Sequence, residues 1–318
     1  MSDRPTVTVL IPTYQEEGAI EACLDAVAAQ TYPEVLEVLV VDGRSTDATR
    51  DLAGARRGVR VLDNPARMQS AALNVGLEAA SGDVVVRVDG HCRIAPDYVE
   101  ACVSALERTG AALVGGAMSP VASGPVQEGI AAAMASRVGA GPARFHVGGQ
   151  GAWVDTVYLG AYRLADARAV GGYATDVGVN EDAEFAHRMA GRGGVWFEPA
   201  IRSTYEPRSS LVALARQFYR YGLSRAATAK RHPSSVRGRQ LVAPSLVVAI
   251  VALPRRRWTL AAYAAGVAAA VVVEPSGGPL VRLAYAASLP VMHLSWGVGF
   301  LLGLAGVSPP RPVAVPGA

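Results

Sequence analysis

The segment Asp83–His91 joins a run of valines to three residues that can take part in chemistry. Its four valines favour a strand on a largely buried surface, and Asp89, Gly90 and His91 follow them. A carboxylate where a buried strand ends can hold a metal ion, glycine lets a ligand approach the backbone, and histidine supplies a nitrogen ligand or a proton carrier. A strand followed by an ordinary Asp-Gly turn explains the same pattern, so the rest of the chain has to decide.

Two further polar segments follow predicted strands. Thr6–Ile11 precedes Pro12–Glu16, and Val35–Val41 precedes Asp42–Asp47. Strands alternate with helices along this part of the chain, which predicts an α/β fold with a mostly parallel sheet. Ligands bind outside the carboxyl ends of the strands in such sheets, so the three polar segments should meet on one rim. No GxGxxG motif follows the first strand and no GxxxxGK[ST] motif is present, which argues against a dinucleotide fingerprint and a P-loop.

The other elements are predicted from apolar periodicity and from the positions of glycine and proline. Helices are expected at Ile20–Val27, at Arg67–Ala80, after Pro96, near Val126–Ser136 and from Asn180. Further strands are expected at Val59–Leu62, Ala111–Gly116, Thr156–Leu159, Val195–Phe197 and Ile201–Tyr205. Gly139–Gly151 is predicted to be a flexible segment that closes over a ligand as a lid.

Charge is distributed unevenly along the chain of 318 residues, which is 51% hydrophobic. The formal net charge is +3, but residues 207–318 contain 13 arginines and lysines and one acid, whereas residues 1–206 carry a net charge of −9. Nucleic acid binding would explain the basic residues but not the long apolar runs among them. A membrane surface explains both, so we expect a membrane partner and no nucleic acid.

Cysteine usage and the N-terminus indicate a cytoplasmic catalytic part. The three cysteines form neither a CxxC pair nor a zinc-type spacing, which fits a reducing compartment without a disulfide framework. Met1–Pro5 is too short and polar for a signal peptide before the first strand. Attachment to a membrane should therefore come from later in the chain.

The C-terminal third predicts that attachment. A helix from Ser209 mixes apolar residues with arginines; it either lies on an anionic bilayer or packs against the catalytic domain with one solvated face. Three apolar segments follow, Leu241–Leu253, Trp258–Val273 and Leu283–Leu304. The preferred topology is multi-pass: the first is interfacial or re-entrant, the second crosses outward, Glu274–Arg282 is the outer loop, and the third returns. Arg255-Arg256-Arg257 then stays cytoplasmic by the positive-inside rule, and three full crossings are the alternative.

Several motifs together resemble a known family. Pro12-Thr13-Tyr14, Val41-Asp42-Gly43 with Ser45-Thr46-Asp47, the acidic end of the fourth strand and Glu181-Asp182 resemble the family 2 inverting glycosyltransferases of GT-A fold. A second set resembles the glucosyltransferases of succinoglycan-type exopolysaccharide synthesis: Asp89-Gly90-His91, Asp155-Thr156, residues 180–184, residues 216–222 and Arg231-His232-Pro233. The resemblance covers about residues 5–245.

The resemblance implies a nucleotide-sugar site with a divalent cation, Mg²⁺ or Mn²⁺. The residues that it assigns to the nucleotide sugar are Pro12, Thr13, Tyr14, Glu16, Asp42, Arg67 and Asp89. Tyr14 would stack on a uracil ring and Asp42 would accept its ring N–H. Asp89 would hold the cation, which offsets the charge of the leaving diphosphate. His91 stands where the family has a second acid, as a further metal ligand or as a phosphate contact.

The resemblance also implies a catalytic base and an acceptor side. Inversion requires a base that takes the proton of the attacking hydroxyl, and Asp182 is the candidate; capping of the helix that begins there is the alternative. Glu181, Gln217 and Arg220 are assigned to the acceptor or phosphate side. Gln217 and Arg220 match the family's Gln-x-x-Arg-Trp element, in which Tyr221 replaces the tryptophan.

The function expected from these residues is transfer of a hexose, glucose first, from a UDP-sugar to a lipid-linked saccharide at the cytoplasmic side of the cell membrane. The domains are expected at residues 1–206 (GT-A catalytic domain), 207–240 (basic amphipathic segment), 241–304 (membrane region) and 305–318 (flexible tail). One alternative is a polyprenyl-phosphate glycosyltransferase, whose acceptor is the phosphate itself. Another is a non-catalytic membrane scaffold that retains the fold.

Overall fold

The computed structural model describes residues 4–141, 143–254, 256–273 and 277–308. Its strands are β1 (Val7–Thr13), β2 (Val35–Asp42), β3 (Val59–Asp63), β4 (Val84–Arg87), β5 (Arg93–Ile94), β6 (Leu113–Pro120), β7 (Ala152–Trp153), β8 (Tyr158–Arg163) and β9 (Val195–Tyr205). Its α-helices up to β9 are α1 (Ile20–Ala28), α2 (Thr49–Gly54), α3 (Gln69–Ala79), α4 (Tyr98–Thr109), α5 (Pro125–Ala135), α6 (Arg144–Val147), α7 (Leu164–Ala169) and α8 (Glu181–Gly193). Those after β9 are α9 (Leu211–Arg231), α10 (Val242–Ala252), α11 (Arg256–Val273) and α12 (Pro279–Leu304).

The strands form one mixed sheet in the order β3-β2-β1-β4-β8-β6-β9-β5, with β7 paired to β9. Neighbours are parallel from β3 to β4, whereas β8 runs antiparallel to both β4 and β6. The mostly parallel α/β sheet expected from the sequence is confirmed. In this register Thr13 at the end of β1 lies opposite Asp42 at the end of β2, so the polar segments after β1, β2 and β4 share one rim.

The core lies on both faces of the sheet. Every residue of β1 is buried, and its side chains alternate between two clusters: Val9 and Ile11 pack with α1 and α4, whereas Leu10 packs with α3 and α8. Successive side chains of a strand point to opposite faces, so a strand covered on both sides needs a continuous apolar run. The parallel strands therefore read as valine- and leucine-rich segments.

Three element boundaries differ from the sequence prediction. One strand, β9, replaces the two expected at Val195–Phe197 and Ile201–Tyr205, because both halves pair with β6 and residues 198–201 bulge out between Gly115 and Ala117 of that strand. Helix α3 begins at Gln69 and not at Arg67, whose φ of 54° is left-handed. The strand expected at Thr156–Leu159 runs over Tyr158–Arg163.

Helix α9 packs against the protein, which is the second of the two interpretations of its amphipathic pattern. Its residues Leu214 and Phe218 are buried with Tyr285, Leu289 and Met292 of α12. The two helix backbones approach closely through glycines: a Cβ atom on Gly303 would lie 2.6 Å from the Cβ of Ala226, and one on Gly299 would collide with the carbonyl oxygen of Tyr219.

Among the described residues, one helix, α12, is long and apolar enough to cross a membrane. The predicted outward crossing by Trp258–Val273 is therefore not supported. Arg255 of the basic triplet, residues 274–276 of the predicted outer loop and residues 309–318 of the predicted tail lie outside the described residues. Helices α10 to α12 expose large apolar side chains on their outer faces: Val242, Val248, Val251, Trp258, Leu260, Val272, Val273, Leu280, Leu283 and Leu302.

Candidate active site

A buried arginine, Arg87, lies at the centre of the rim. It is 2% exposed, and its guanidinium donates from Nε to Oδ1 of Asp89 at 2.9 Å and from Nη2 to Oδ2 at 3.3 Å. Its Nη1 donates to Oδ1 of Asp182. The guanidinium of Arg87 thus joins Asp89, just after β4, to Asp182 at the start of α8. Burial alone would lower the pKa of Arg87, but the charges of Asp182 and Asp89 raise it well above its usual value.

No role in the site was predicted for Arg87, although its position in the sequence indicates one. An arginine inside a run of valines would be buried with its strand, and a buried charge is very unfavourable unless it is paired. The position of Arg87 among buried valines therefore predicts that carboxylates pair with it. Asp89, two residues later in the same segment, is one of them.

Asp89 combines low exposure with a dense set of contacts. It is 8% exposed, and besides Arg87 it accepts a hydrogen bond from Nε2 of Gln69 at 3.3 Å. In the described part of the chain no three His, Cys, Asp or Glu side chains are grouped so that they could hold a metal. Mg²⁺ usually takes only one or two protein carboxylates when substrate phosphates complete its shell. Asp89 therefore fits a cation that arrives with a diphosphate, and does not fit a cation held by protein ligands alone.

His91 pairs with Glu16. Its Nδ1 lies 2.9 Å from Oε1 of Glu16. Burial would lower the pKa of His91, but the hydrogen bond to Glu16 and the charges of Glu16 and Asp89 raise it. The backbone N–H of Glu16 donates to Oγ1 of Thr49 at 2.7 Å, which fixes this loop. The predicted metal pair of Asp89 and His91 is close along the chain, but in this structure the imidazole faces Glu16, and Nε2 is the nitrogen left for a ligand.

The loops after β1 and β2 are tied together through Asp42. Its carboxylate is fully buried and accepts hydrogen bonds from N and Oγ of Ser45, at 2.9 and 2.6 Å, and from Oγ1 of Thr13 at 3.3 Å. Because Asp42 is fully buried, a contact between its carboxylate and a base would require the surrounding loops to move. Tyr14 is half-buried against Gly43, where a Cβ atom would lie 3.1 Å from the Tyr14 ring.

The other predicted nucleotide residues differ in position. Pro12 is buried in β1, whereas Arg67 is exposed in the loop before α3. Arg67 is therefore a surface residue, whereas Arg87 is buried.

Asp182 and Glu181 begin α8 side by side. No side chain caps this helix start, and the Asp182 carboxylate binds Arg87, so helix capping is not what Asp182 does here. Burial raises the pKa of Asp182, Arg87 opposes that shift and Asp89 adds to it. Burial, with the Asp182 charge, raises the pKa of Glu181 to about 8. Glu181 is 3% exposed and its Oε2 has no hydrogen-bond partner in the described residues.

The predicted acceptor side is brought to the same place by α9. The carboxyls of Glu181 and Asp182 add to the burial that raises the pKa of Tyr221, so Tyr221 lies within their field. Nε2 of Gln217 donates to the Tyr221 hydroxyl at 2.8 Å, and Nε of Arg208 donates to Oε1 of Gln217 at 3.3 Å. Arg208 thereby belongs to the site. It was not predicted from the sequence, because no local motif indicates it.

Arg220 does not join this network. It is half-buried on α9. Gln217, the other residue that matches the Gln-x-x-Arg-Trp element, is hydrogen-bonded to Tyr221 and Arg208.

Helix α9 also holds the turn that leads into α8. The backbone N–H of Val179 donates to Oγ of Ser224 at 3.2 Å, and Nδ2 of Asn180 donates to Oγ1 of Thr228 at 2.7 Å. The position of Asp182 thus depends on a helix that lies next to it in space but well after it in sequence.

Comparison with known proteins identifies relatives of this chain. Residues 8–165 match the model of the family described as glycosyl transferase family 2. The chain is 34% identical to the succinoglycan biosynthesis protein ExoA of Rhizobium meliloti, over 94% of this chain and 96% of that protein. It is 27% identical to a dolichyl N-acetyl-α-D-glucosaminyl phosphate 3-β-D-2,3-diacetamido-2,3-dideoxy-β-D-glucuronosyltransferase of Methanococcus voltae, over 69% of this chain and 72% of that protein.

Solved structures include the mannosyltransferase PcManGT of Pyrobaculum calidifontis in complex with GDP-mannose and Mn²⁺. It is similar to this chain with a TM-score of 0.58 at 24% identity, over 96% of this chain and 87% of that one. The likeness shows the fold, and the GT-A fold expected from the sequence is confirmed.

Proposed function

Because the chain belongs to the family 2 glycosyltransferases and is therefore a glycosyltransferase, we propose that it transfers a hexose, glucose first, from a UDP-sugar to a hydroxyl group of a lipid-linked saccharide with inversion. The observation that carries this proposal is the bridge that Arg87 makes between Asp89 and Asp182. It sets a carboxylate for the donor side next to a carboxylate for the acceptor side.

Asp182 is the proposed base. The burial that raises the pKa of Asp182 makes its carboxylate a stronger base than that of an exposed aspartate. It takes the proton of the acceptor hydroxyl as that oxygen attacks the sugar carbon from the face opposite the leaving diphosphate. Arg87 orients the Asp182 carboxylate, and Glu181 stays protonated below about pH 8, so the base has one negative neighbour fewer.

The donor side is proposed to consist of the loops after β1, β2 and β4. Tyr14 stacks on the base, Thr13 and Asp42 hold the loop against it, and Arg67 reaches the phosphates from outside. When bound, Mg²⁺ or Mn²⁺ would offset the charge of the leaving diphosphate. Asp89 would be its protein ligand, with His91 beside it and Glu16 orienting that imidazole.

The lipid-linked acceptor is supported by two observations. One is the set of exposed apolar side chains on α10, α11 and α12. The other is the name of the relative from Methanococcus voltae, whose substrate is a saccharide on a dolichyl phosphate. A membrane location with the catalytic domain in the cytoplasm follows as part of the same proposal.

A panel of UDP- and GDP-sugars, incubated with the protein and with lipid-linked saccharides, tests the proposal. We expect one UDP-hexose to be consumed, Asp182→Asn to lower transfer about 1000-fold with donor binding retained, and EDTA to abolish transfer until Mg²⁺ or Mn²⁺ is restored. Equal turnover by Asp182→Asn would refute the base, and full activity in EDTA would refute the cation. A sugar–phosphate product that mild acid cleaves would identify a polyprenyl-phosphate glycosyltransferase instead.

A further inference from the structure

A cluster of arginines lies beside the candidate active site and has no part in the chemistry described above. Nη2 of Arg225 on α9 donates to O and Oγ of Ser235, at 2.7 and 3.1 Å, and to Oε1 of Gln240 at 2.9 Å. Arg237 and Arg239, in the segment between α9 and α10, both donate to the carboxylate of Asp155 at 2.8 Å.

Arg225 differs from an ordinary surface arginine. It is 6% exposed, and its Nη1 has no hydrogen-bond partner within the described residues. Burial lowers the pKa of Arg225, the Asp155 charge raises it and the Arg239 charge lowers it, so these groups share one electrostatic environment. A buried guanidinium nitrogen without an acceptor is unfavourable, and an anion would satisfy it.

The cluster carries an excess of positive charge. Arg237 and Arg239 share the carboxylate of Asp155, and Arg225 lies in the field of that carboxylate. The pKa of the neighbouring His187 is lowered first by burial and then by the charges of His232, Arg225 and Arg237, against an opposing effect of Glu184. Arginine binds phosphate through paired, charge-assisted hydrogen bonds. Arg237 and Arg239 are about half exposed, so the site opens to the surface while Arg225 forms its floor.

An apolar groove begins two residues after Arg239 in the chain. The turn Gly238–Leu241 carries Arg239 and then Leu241, and Leu241 begins a groove of about 400 Å³ between α10 and α12. The groove is lined largely by apolar side chains, among them Val248 and Leu304. Arginines next to the start of an apolar groove match a ligand with a phosphate at the end of a hydrocarbon chain.

The position along α9 relates this site to the candidate active site. Tyr221, which lies in the field of Glu181 and Asp182, precedes Arg225 by four residues on the same face of the helix. At a rise of 1.5 Å per residue the two are separated by about 6 Å along the helix axis. A phosphate at Arg225 would therefore lie about one turn of α9 away from Tyr221.

We propose that Arg225, Arg237 and Arg239 bind the phosphate of an isoprenoid-linked acceptor, whose chain lies in the groove between α10 and α12. This inference rests on the proposed function, because it takes the acceptor to be lipid-linked. Asp155 occupies the exposed arginines until the phosphate displaces it. The site is separate from the donor diphosphate site at Asp89.

Binding of farnesyl diphosphate to the full-length protein in detergent tests the site. Arg239→Gln should weaken this binding about tenfold, because it removes a charge-assisted contact. Asp155→Asn should strengthen binding, because it removes the competing carboxylate. Arg216→Gln, which removes an exposed positive charge from α9, is the matched control and should change affinity less than twofold. Farnesol and inorganic diphosphate should each bind at least tenfold more weakly than farnesyl diphosphate.

The outcomes separate this inference from the proposed function. Equal affinity for farnesyl diphosphate in Arg239→Gln and Arg216→Gln would overturn it, as would weaker binding in Asp155→Asn. Nanodiscs of phosphatidylglycerol that compete as well as farnesyl diphosphate would assign the arginines to bulk lipid headgroups instead, and inorganic diphosphate that binds as tightly would assign them to a free anion. Binding of UDP should be the same in all four proteins. Failure of the unsubstituted protein to consume any UDP-sugar when a lipid-linked saccharide is present would count against the proposed function alone.

Discussion

Two adjacent carboxyl groups at the start of α8 have different surroundings and therefore different roles. Asp182 is bound to Arg87, whereas Glu181 is buried and its Oε2 has no hydrogen-bond partner among the described residues. Their pKa values are both raised, and Glu181 reaches about 8. Glu181 therefore keeps its proton below about pH 8 and places no second negative charge beside Asp182. A neutral Glu181 does not repel a diphosphate that approaches the site.

Glu181 should make the stability of the protein fall as the pH rises. Its folded pKa of about 8 lies above the usual 4.5, so the folded state keeps a proton that the unfolded chain releases between these values, and stability is lost as the pH increases through that window. Glu181→Gln has no such proton to lose. Its free energy of unfolding relative to the unsubstituted protein should rise by about 3 kcal/mol between pH 5.5 and pH 8, measured by urea unfolding.

Glu107→Gln, on the exposed side of α4, provides the control and should show little change at either pH. An offset for Glu181→Gln that is equal at both pH values would contradict the protonated state of Glu181.

At the scale of elements, α9 connects two parts of the molecule. Its Ser224 and Thr228 hold the turn before α8, and its Gly222 lies against α12, where a Cβ atom would come 2.7 Å from the backbone nitrogen of Phe300. Small residues allow such close backbone contact, as in helix pairs within membranes. The geometry of Asp182 therefore depends on how α9 docks on α12.

Gly299→Ala should disturb that docking, because its Cβ atom would collide with the carbonyl oxygen of Tyr219. Overpacking of this kind destabilises by about 1–3 kcal/mol, so we expect a lower thermal midpoint and a lower kcat with little change in the KM for the donor. Gly266→Ala on α11 is the control, since no heavy atom of the described residues lies within 4 Å of the added Cβ, and it should keep or raise the midpoint. Equal midpoints for the two variants would show that α9 and α12 separate easily.

The sequence predicted the elements that carry their own pattern and missed those that depend on distant partners. The valine-rich strands, and the loops that begin at Asp42 and Asp89, were predictable because strand periodicity and turn residues are local features of the sequence. The single strand β9 was not, because the Glu198-Pro199-Ala200 interruption marks a bulge whose two sides both pair with β6. Arg208 and Arg225 were not readable either, since their neighbours come together only when α9 folds against the sheet domain.

For the whole molecule, the C-terminal helices favour attachment along the membrane surface. One face of α12 is buried on α5 and α9 from Val281 to Gly303, while Leu280, Leu283 and Leu302 are exposed. Were α12 to span the bilayer, α9 would enter it with its arginines, each of which is unfavourable in the hydrocarbon by about 2.5–3.5 kcal/mol or more. We therefore expect α10, α11 and α12 to lie in the interface.

Accessibility of the two ends of α12 distinguishes the two arrangements. Leu280→Cys and Leu304→Cys, each labelled with an environment-sensitive fluorophore, should both be quenched by a membrane-impermeant reagent added outside sealed vesicles, and Leu36→Cys on the exposed side of β2 marks the outside. The native cysteines Cys23, Cys92 and Cys102 are buried with thiol pKa values raised first of all by burial, so they should not react. Protection of one end only would demonstrate a spanning helix.

The uneven charge of the chain has a consequence for how the protein meets the membrane. Residues 1–206 carry a net charge of −9 and residues 207–318 carry a net charge of +12. The electric field of an anionic membrane surface therefore rotates the protein as it diffuses, before any apolar side chain makes contact. That field acts over a Debye length of about 8 Å at physiological ionic strength. Productive encounters therefore begin with the arginine-rich face towards the lipid. Added salt slows the encounter itself, however much apolar surface is available to hold the protein afterwards.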